Sequence, residues 1–490
     1  GGEAMSRRSF PLFLVIFQLS ACGGASKPAP DLAAASTAIA VATGSASAPA
    51  TAPPAPSDPR IAKAQKRMSR VRALASKKEV PGVVLTREAM LAKVRAHVAT
   101  EIPKEAIVRE GQDLILADLV PEQTDYLATT FALLEEELAG FYSPEDGTMY
   151  VADDLKGELA SATLNHEIVH ALQDQHFGLK DRMKYGEGAS DHAEATSALA
   201  EGDATSAMFD AMFTERGMLA TDVPDEQTIS MMSSSLGATG KTDIPPLLRV
   251  GLVAPYLHGL LFVNGLRRAA GEGKDPKAGW AAVDAAWSNP PATTEQILHV
   301  SKYLAHEPAL NVPAPTFAAL GPAAKRVAGD QIGELGLGLL AQGWLGAPSP
   351  SAPLDDSTRT KARQLFVGWG GGASSFLEIP SSTPNGKPAV ATAYDVAFDA
   401  DRPKGAAEAF TALAPALARR GTAAGKGSNS FRCVERTTKG PLAIGHANGH
   451  FYLLAGPAVP GASWTSAGDC ALAKRWFDEL AGATPKPAKR

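Results

Sequence analysis

Residues 164–174 read Leu-Asn-His-Glu-Ile-Val-His-Ala-Leu-Gln-Asp and contain H-E-x-x-H. On a helix, His166 and His170 stand one turn apart on one face, so both imidazoles reach one metal ion. Glu167 projects beside them, placed to take a proton from a water on that ion. Leu164, Ile168, Ala171 and Leu172 follow i, i+4, i+7, i+8, an apolar stripe roughly opposite the histidines. The pattern predicts a helix with one face in the core and the other on a cleft. Asp174, four residues after His170, is expected to hold a ligating imidazole through its second ring nitrogen.

A catalytic zinc takes three protein ligands and keeps one position open. Three residues compete for the third place. His176 completes H-E-x-x-H-x-x-Q-x-x-H, a spacing that works only if the helix ends early; this chain has Gln173 where metzincins place the glycine that allows the turn. Glu194 and Glu201 both lie in an Ala-rich helical stretch, residues 191–213, whose small side chains permit close helix contact. There Glu194, Ser197, Glu201, Thr205 and Met208 share one face.

The block H-E-I-V-H-A-L-Q-D resembles the zinc helix of thermolysin-like peptidases, which also carry Asp four residues after the second His. Leu199-Ala200-Glu201-Gly202-Asp203-Ala204 resembles the E-G-x-A around the third ligand of gluzincins, and this favours Glu201. With the 140–151 hairpin and residues 294–303, these motifs make about residues 120–305 similar to gluzincin-like bacterial metallopeptidases. The resemblance implies an α+β, zincin-like core: a small sheet, an active-site helix beneath it and a mainly helical second half. It also implies Zn2+ as cofactor, hydrolysis of a peptide or protein substrate, and Glu167 as general base. A donor must stabilise the oxyanion; Tyr303, His299, Tyr185 and Tyr142 are the candidates, with Tyr303 and His299 put first. The competing expectation is an inactive zincin-fold surface protein that acts as a binding module; an intact Glu167 argues against it, since a purely structural metal has no use for that carboxylate.

The remaining sequence bounds where such a protein works. A formal net charge of −5 without a basic cluster argues against a nucleic-acid partner. Arg7 and Arg8 precede an apolar run and Leu19-Ser20-Ala21-Cys22, which resembles a bacterial lipoprotein signal with lipid on Cys22. Expected localisation is therefore the cell envelope, with the membrane engaged through an N-terminal lipid. Residues 22–60 are rich in Ala, Pro and Ser and read as a disordered tether. The other cysteines, Cys433 and Cys470, are expected to form a disulfide in an oxidising compartment. The expected organisation is a signal peptide (1–21), the tether (22–60), a catalytic domain (61–345) and a C-terminal mixed α/β region (346–490).

The supporting elements follow from periodicity and turn chemistry. Residues 61–140 read as helical. Residues 140–151 carry two short strands about Ser-Pro-Glu-Asp-Gly, a turn sequence. Gly178 is a stop for the metal helix. Residues 221–246 read as loop, 250–266 as a buried apolar helix despite Pro255, and Thr294 as the cap of a short helix. Near the C-terminus, residues 389–398, 430–435 and 450–455 read as strands and 406–419 and 471–480 as helices. The two histidines of Gly-His-Ala-Asn-Gly-His (445–450) are assigned to a turn, not to a metal.

Overall fold

The computed structural model describes residues 58–183, 188–237, 244–271, 276–346, 356–424 and 427–483. The signal segment, Cys22, nearly all of the tether, and Tyr185 lie outside the described residues.

Four helices frame the first sheet: α1 (Pro59–Val71), α2 (Arg87–Glu101), α3 (Lys104–Leu116) and α4 (Tyr126–Glu137). Side chains of Asp58, Thr86 and Asp125 cap α1, α2 and α4 by accepting first-turn N–H groups. The expected hairpin forms as β2 (Gly140–Ser143) and β3 (Thr148–Ala152), closed by a hydrogen bond from Gly147 N to Ser143 O. Gly147 has φ +66°, a conformation that costs a glycine little. A third strand, β1 (Gly82–Leu85), pairs parallel with β3 inside a stretch read as helical, giving the order β1-β3-β2. Strand β2 is therefore an edge of this sheet.

The H-E-x-x-H helix, α5 (Gly157–Phe177), ends at Gly178 in a left-handed conformation with φ +68°, as its sequence indicates. Helix α6 (Ser190–Phe213) packs on it, and α8 (Pro246–Ala269) packs on α6. Between them comes α7 (Asp225–Gly237), so the reading of 221–246 as loop is wrong. That segment is short, polar and rich in Ser, and local propensity alone gave it no clear period. Helix α8 is long and apolar enough to cross a membrane by length and composition, but most of it is buried inside this fold. Helices α6 and α8 meet backbone to backbone at Gly202 and Gly259. A Cβ on Gly202 would stand 2.1 Å from the carbonyl group of Gly259, and one on Gly259 would stand 1.9 Å from Ala198 O. A buried cation also ties α1 to α6. Arg72, just past α1, donates to Asp203 on α6 and, at 2.7 Å, to Asp284 of α9 (Pro276–Ser288), and it lies 4.5 Å from the Trp280 ring.

A short helix, α10 (Thr294–Leu298), follows; its cap is Thr293, which accepts from Gln296 N, while Thr294 instead donates to Asp191. The C-terminal part is an antiparallel sheet of order β4-β5-β6-β10-β9-β8-β7, with β11 (Thr465–Ser466) beside β10. Its strands are β4 (Lys325–Gln331), β5 (Trp369–Ile379), β6 (Ala389–Phe398), β7 (Thr422–Ala423), β8 (Phe431–Glu435), β9 (Leu442–Ala447) and β10 (His450–Val459). Helices α11 (Glu334–Leu345), α12 (Gly405–Ala418) and α13 (Cys470–Ala483) pack around it. The expected disulfide is present between Cys433 on β8 and Cys470 at the start of α13. Lys302 links the two parts by donating to Glu295, Glu307 and Asp399. The fold class is α+β, as expected.

The glycine contact has a direct consequence. Gly259→Ala must push α6 and α8 apart, and overpacking of this kind costs about 1–3 kcal/mol or more. A lower thermal midpoint with reduced metal retention is expected, because α6 carries Glu201; an unchanged midpoint would mean that the crossing is looser than described.

Candidate metal centre

Helix α5 presents His166 and His170 toward α6, which presents Glu201. The Nε2 atoms of the two histidines are 3.0 Å apart, His166 Nε2 is 3.0 Å from Glu201 Oε2, and His170 Nε2 is 3.4 Å from the same oxygen. Three donors bound at zinc–nitrogen and zinc–oxygen lengths in a tetrahedron would be roughly 3.3 Å apart. The observed triangle fits that spacing. Two neutral imidazole nitrogens facing each other can share at most one proton, so a common cation is the economical way to satisfy all three donors.

The surroundings prepare the donors. His170 Nδ1 is 2.9 Å from Gln173 Oε1, and Gln173 Nε2 donates to Ala200 O on α6 at 3.0 Å. That second bond fixes the amide's orientation, so its oxygen faces the ring; Nδ1 then carries the hydrogen and Nε2 keeps its lone pair for an ion. Gln173 thus does the work expected of Asp174. Successive helix positions are about 100° apart: position 173 faces α6, and position 174 faces the hairpin. Asp174 accepts from the Tyr142 hydroxyl at 2.9 Å and from Lys180 N.

Glu167 is held from the hairpin. Tyr142 N on the edge strand β2 donates to Glu167 Oε2 at 2.9 Å, while Oε1 is buried with no hydrogen-bond partner. Burial raises the Glu167 carboxyl to about 8. Burial also lowers His166, whereas in His170 it is outweighed by the Glu201 carboxylate, which lifts that ring to about 9. In Glu201 burial is in turn outweighed by the two histidines, and its carboxyl is lowered. These groups lie out of contact with bulk water: His166, Glu167, Glu201 and His170 are 0, 1, 2 and 6% exposed. The expectation of a face on an open cleft is therefore not met. Helix α6 covers the histidines, and Tyr256 of α8 places its ring 5.7 Å from that of His166.

The other expected site residues are elsewhere. His176 Nε2 is 2.6 Å from Ala75 O, because α5 runs on past it and turns its ring away from His166 and His170. Glu194 is two turns from Glu201 and makes no contact with the histidines. The Tyr303 hydroxyl donates to Asn289 O at 2.9 Å, and His299 Nε2 meets the Glu334 carboxylate at 2.9 Å. Neither is brought to the three donors, so the preference for them as oxyanion donors is not supported. His446 and His450 flank the turn of the β9–β10 hairpin, and His450 pairs with Asp395. Sequence reasoning missed Gln173 and Tyr256. Gln173 was visible three residues after His170, whereas Tyr256 was one aromatic in an apolar run.

Among the described residues one other carboxylate group, Glu295, Glu307 and Asp399, gathers closely enough to suggest an ion, but Lys302 already occupies its centre. Comparison with family models, curated proteins and solved structures gives no match. The functional reading therefore stands on geometry and on the motif.

Elemental analysis tests the donor set. His166→Ala and Glu201→Gln should each lose the metal, and His176→Ala should keep it. Gln173→Leu should weaken affinity about 10–100-fold, with little change in Asp174→Asn. Metal retained in Glu201→Gln but lost from His176→Ala would replace Glu201 by His176.

Proposed function

We propose that the chain is a zinc-dependent peptidase of the gluzincin type, with a zincin-like core in which His166, His170 and Glu201 hold the ion and Glu167 is the general base. The observation that carries this reading is the state of Glu167. Its Oε2 is fixed by the Tyr142 N–H, and its Oε1 is unpartnered beside the three donors. A structural ion needs no such group.

A zinc ion held by the three donors supplies Lewis acidity, which acidifies a water toward pKa of roughly 7 and polarises a scissile carbonyl. The chain's own residues do the rest. Glu167 Oε1, buried and unpartnered beside the three donors, is placed to take the proton of the attacking water and pass it to the leaving amine. Gln173 keeps His170 in the tautomer that offers Nε2. Strand β2 is an edge of its sheet beside the site, suited to pairing with an extended peptide once the Tyr142 N–H leaves Glu167. Tyr256, whose ring lies 5.7 Å from that of His166, is the preferred candidate to face a developing oxyanion. The proposal includes export as a lipid-anchored protein of the cell envelope through Cys22.

One observation favours a second reading, a zincin-fold binding module with a closed metal site: the near-complete burial of all four groups. Glu167→Gln separates the two. It retains shape and ligands, so metal content should be unchanged while hydrolysis of a peptide mixture falls by about 10²–10⁴-fold. Metal-loaded wild type that cleaves nothing in a broad peptide library supports the binding module. Wild-type activity in Glu167→Gln would discard the mechanism. For export, Cys22→Ser should shift the protein from the membrane fraction to the soluble fraction; unchanged association would discard the lipid anchor.

A further inference from the structure

A second cavity, of about 210 Å³, lies where the helical part meets the C-terminal sheet. Its walls come from α3, the first turns of α6, α8, β4, α11, β5 and β6. Five carboxyl groups line it: Glu110 and Asp113 from α3, Asp191 and Glu194 from α6, and Asp330 from β4.

Three of them are partly satisfied. Asp191 Oδ1 accepts from Thr294 N at 2.9 Å and from its hydroxyl at 2.5 Å, and Asp330 accepts from Ser190 and from Gln331 N. Asp113 Oδ2 accepts from the Tyr394 hydroxyl at 2.6 Å, but its Oδ1 is buried with no partner. Glu110 and Glu194 are packed among protein atoms but remain partly exposed at the cavity they line, and among the described residues neither accepts a hydrogen bond. Neighbouring carboxylates add to burial in raising both groups. Enclosing unpaired acids costs stability, and nothing else in the fold uses Glu110 or Glu194. Much of the remaining wall is apolar, including Leu247, Leu248, Leu335 and Phe376, with Arg109 and Tyr394 among its polar members.

This combination selects its guest. A small divalent cation needs several oxygens at 2.3–2.6 Å, and among the described residues no three of these carboxyl groups converge closely enough to chelate one. The guest must instead be larger, positively charged at one end and apolar along its body. We propose that the cavity binds an alkylammonium group, a protonated primary amine on a chain of several carbons, either as a lysine side chain in a peptide or as a free aliphatic amine. The ammonium meets Glu110 and Glu194, and the hydrocarbon lies on the leucine wall. Glu194 is seven residues before Glu201 on α6, about 10 Å along the helix. A lysine of a peptide at the metal centre would thus lie only a few extended residues away. The site itself does not depend on the peptidase reading.

Binding is coupled to protons. Burial raises Glu194 to about 8, Asp330 to about 7 and Asp191 to about 6, and it raises Glu110 and Asp113 as well. Tyr394, also raised by burial, and Arg109 are the other titratable groups on the wall; α8, α11 and β5 contribute none. An entering cation should release protons from the acids, so affinity should increase from pH 6 to 8.

Calorimetry on the full chain tests this with 1,5-diaminopentane, n-hexylamine, N-acetyl-lysine methylamide and, as neutral control, 1-hexanol. At least one amine should bind one-to-one, at least 10-fold more tightly than hexanol, with an enthalpy that varies with the buffer's ionisation. Binding of the lysine derivative identifies a peptide source, and binding of the free amines alone identifies a small-molecule source. The double variant Glu110→Gln/Glu194→Gln should weaken the amine at least 10-fold while its thermal midpoint holds or rises, since neutral amides relieve enclosed acids. The comparison of amine with alcohol in the wild type needs no variant. Equal binding of hexanol, no amine binding, or an amine affinity unchanged in a folded double variant would each overturn the proposal.

Discussion

The interaction on which the centre depends is the mutual compensation of buried charge. Two imidazoles and two carboxyl groups are held within a few ångströms of one another and almost out of reach of water. In such a medium, an isolated charge is far costlier than in solvent, and attraction between opposite charges is correspondingly stronger. The two histidines lower the Glu201 carboxyl against its burial, and Glu201 is the largest influence that raises the His170 ring against its own. A divalent cation at the shared corner would do the same job for all three donors at once. The helices must then be fixed closely enough to keep these distances, and close contacts serve that end. The glycine crossing lets α8 lie directly on α6, and the Arg72–Asp203 pair anchors α6 two residues beyond Glu201.

That anchor illustrates how polar groups organise the interior. Asp203 accepts from Arg72 and from the indole of Trp287 at 2.9 Å, and the guanidinium is also held by Asp284. Removing Arg72 would leave the buried Asp203 with only the Trp287 indole, and removing Asp203 would leave Arg72 with Asp284 alone, a cost of up to about 3–5 kcal/mol. The pair therefore specifies the packing of α1, α6 and α9 more than it adds net stability.

What the sequence made legible was local. H-E-x-x-H needs only helical spacing, and the Ala-rich face carrying Glu201 repeats at the same period, so both could be read without knowing the fold. Gly178, the Ser-Pro-Glu-Asp-Gly turn and the C-terminal strands and helices announced themselves through similarly short-range chemistry. What failed depended on partners distant in the chain. Strand β1 exists because β3, more than sixty residues later, pairs with it. Asp174 rather than Gln173 looked like the residue to hold His170, since spacing alone does not say which neighbour is sandwiched between α5 and α6. His299 and Tyr303 were read as site residues from a motif, yet Glu334 and Asn289 O take their polar atoms.

The enclosure of the centre also bears on how chemistry would be done there. A peptide cannot reach four groups that are at most a few per cent exposed unless a covering element yields. The histidines themselves are the least mobile choice, fixed through Gln173 and the core face of α5. Helix α6 is tied by the glycine crossing and the Arg72 pair. The hairpin is bound less heavily: β2 is an edge strand with β3 on one side, and it meets α5 through the Tyr142 N–H to Glu167 and the Tyr142 hydroxyl to Asp174. Those two bonds are each worth about 1.5–3 kcal/mol if their acceptors are charged, an amount that binding of an extended chain along β2 is able to offset. Yielding at the hairpin would release Glu167 Oε2 and open the strand edge in the same motion, so access to the ion and mobilisation of the base are coupled through one residue, Tyr142.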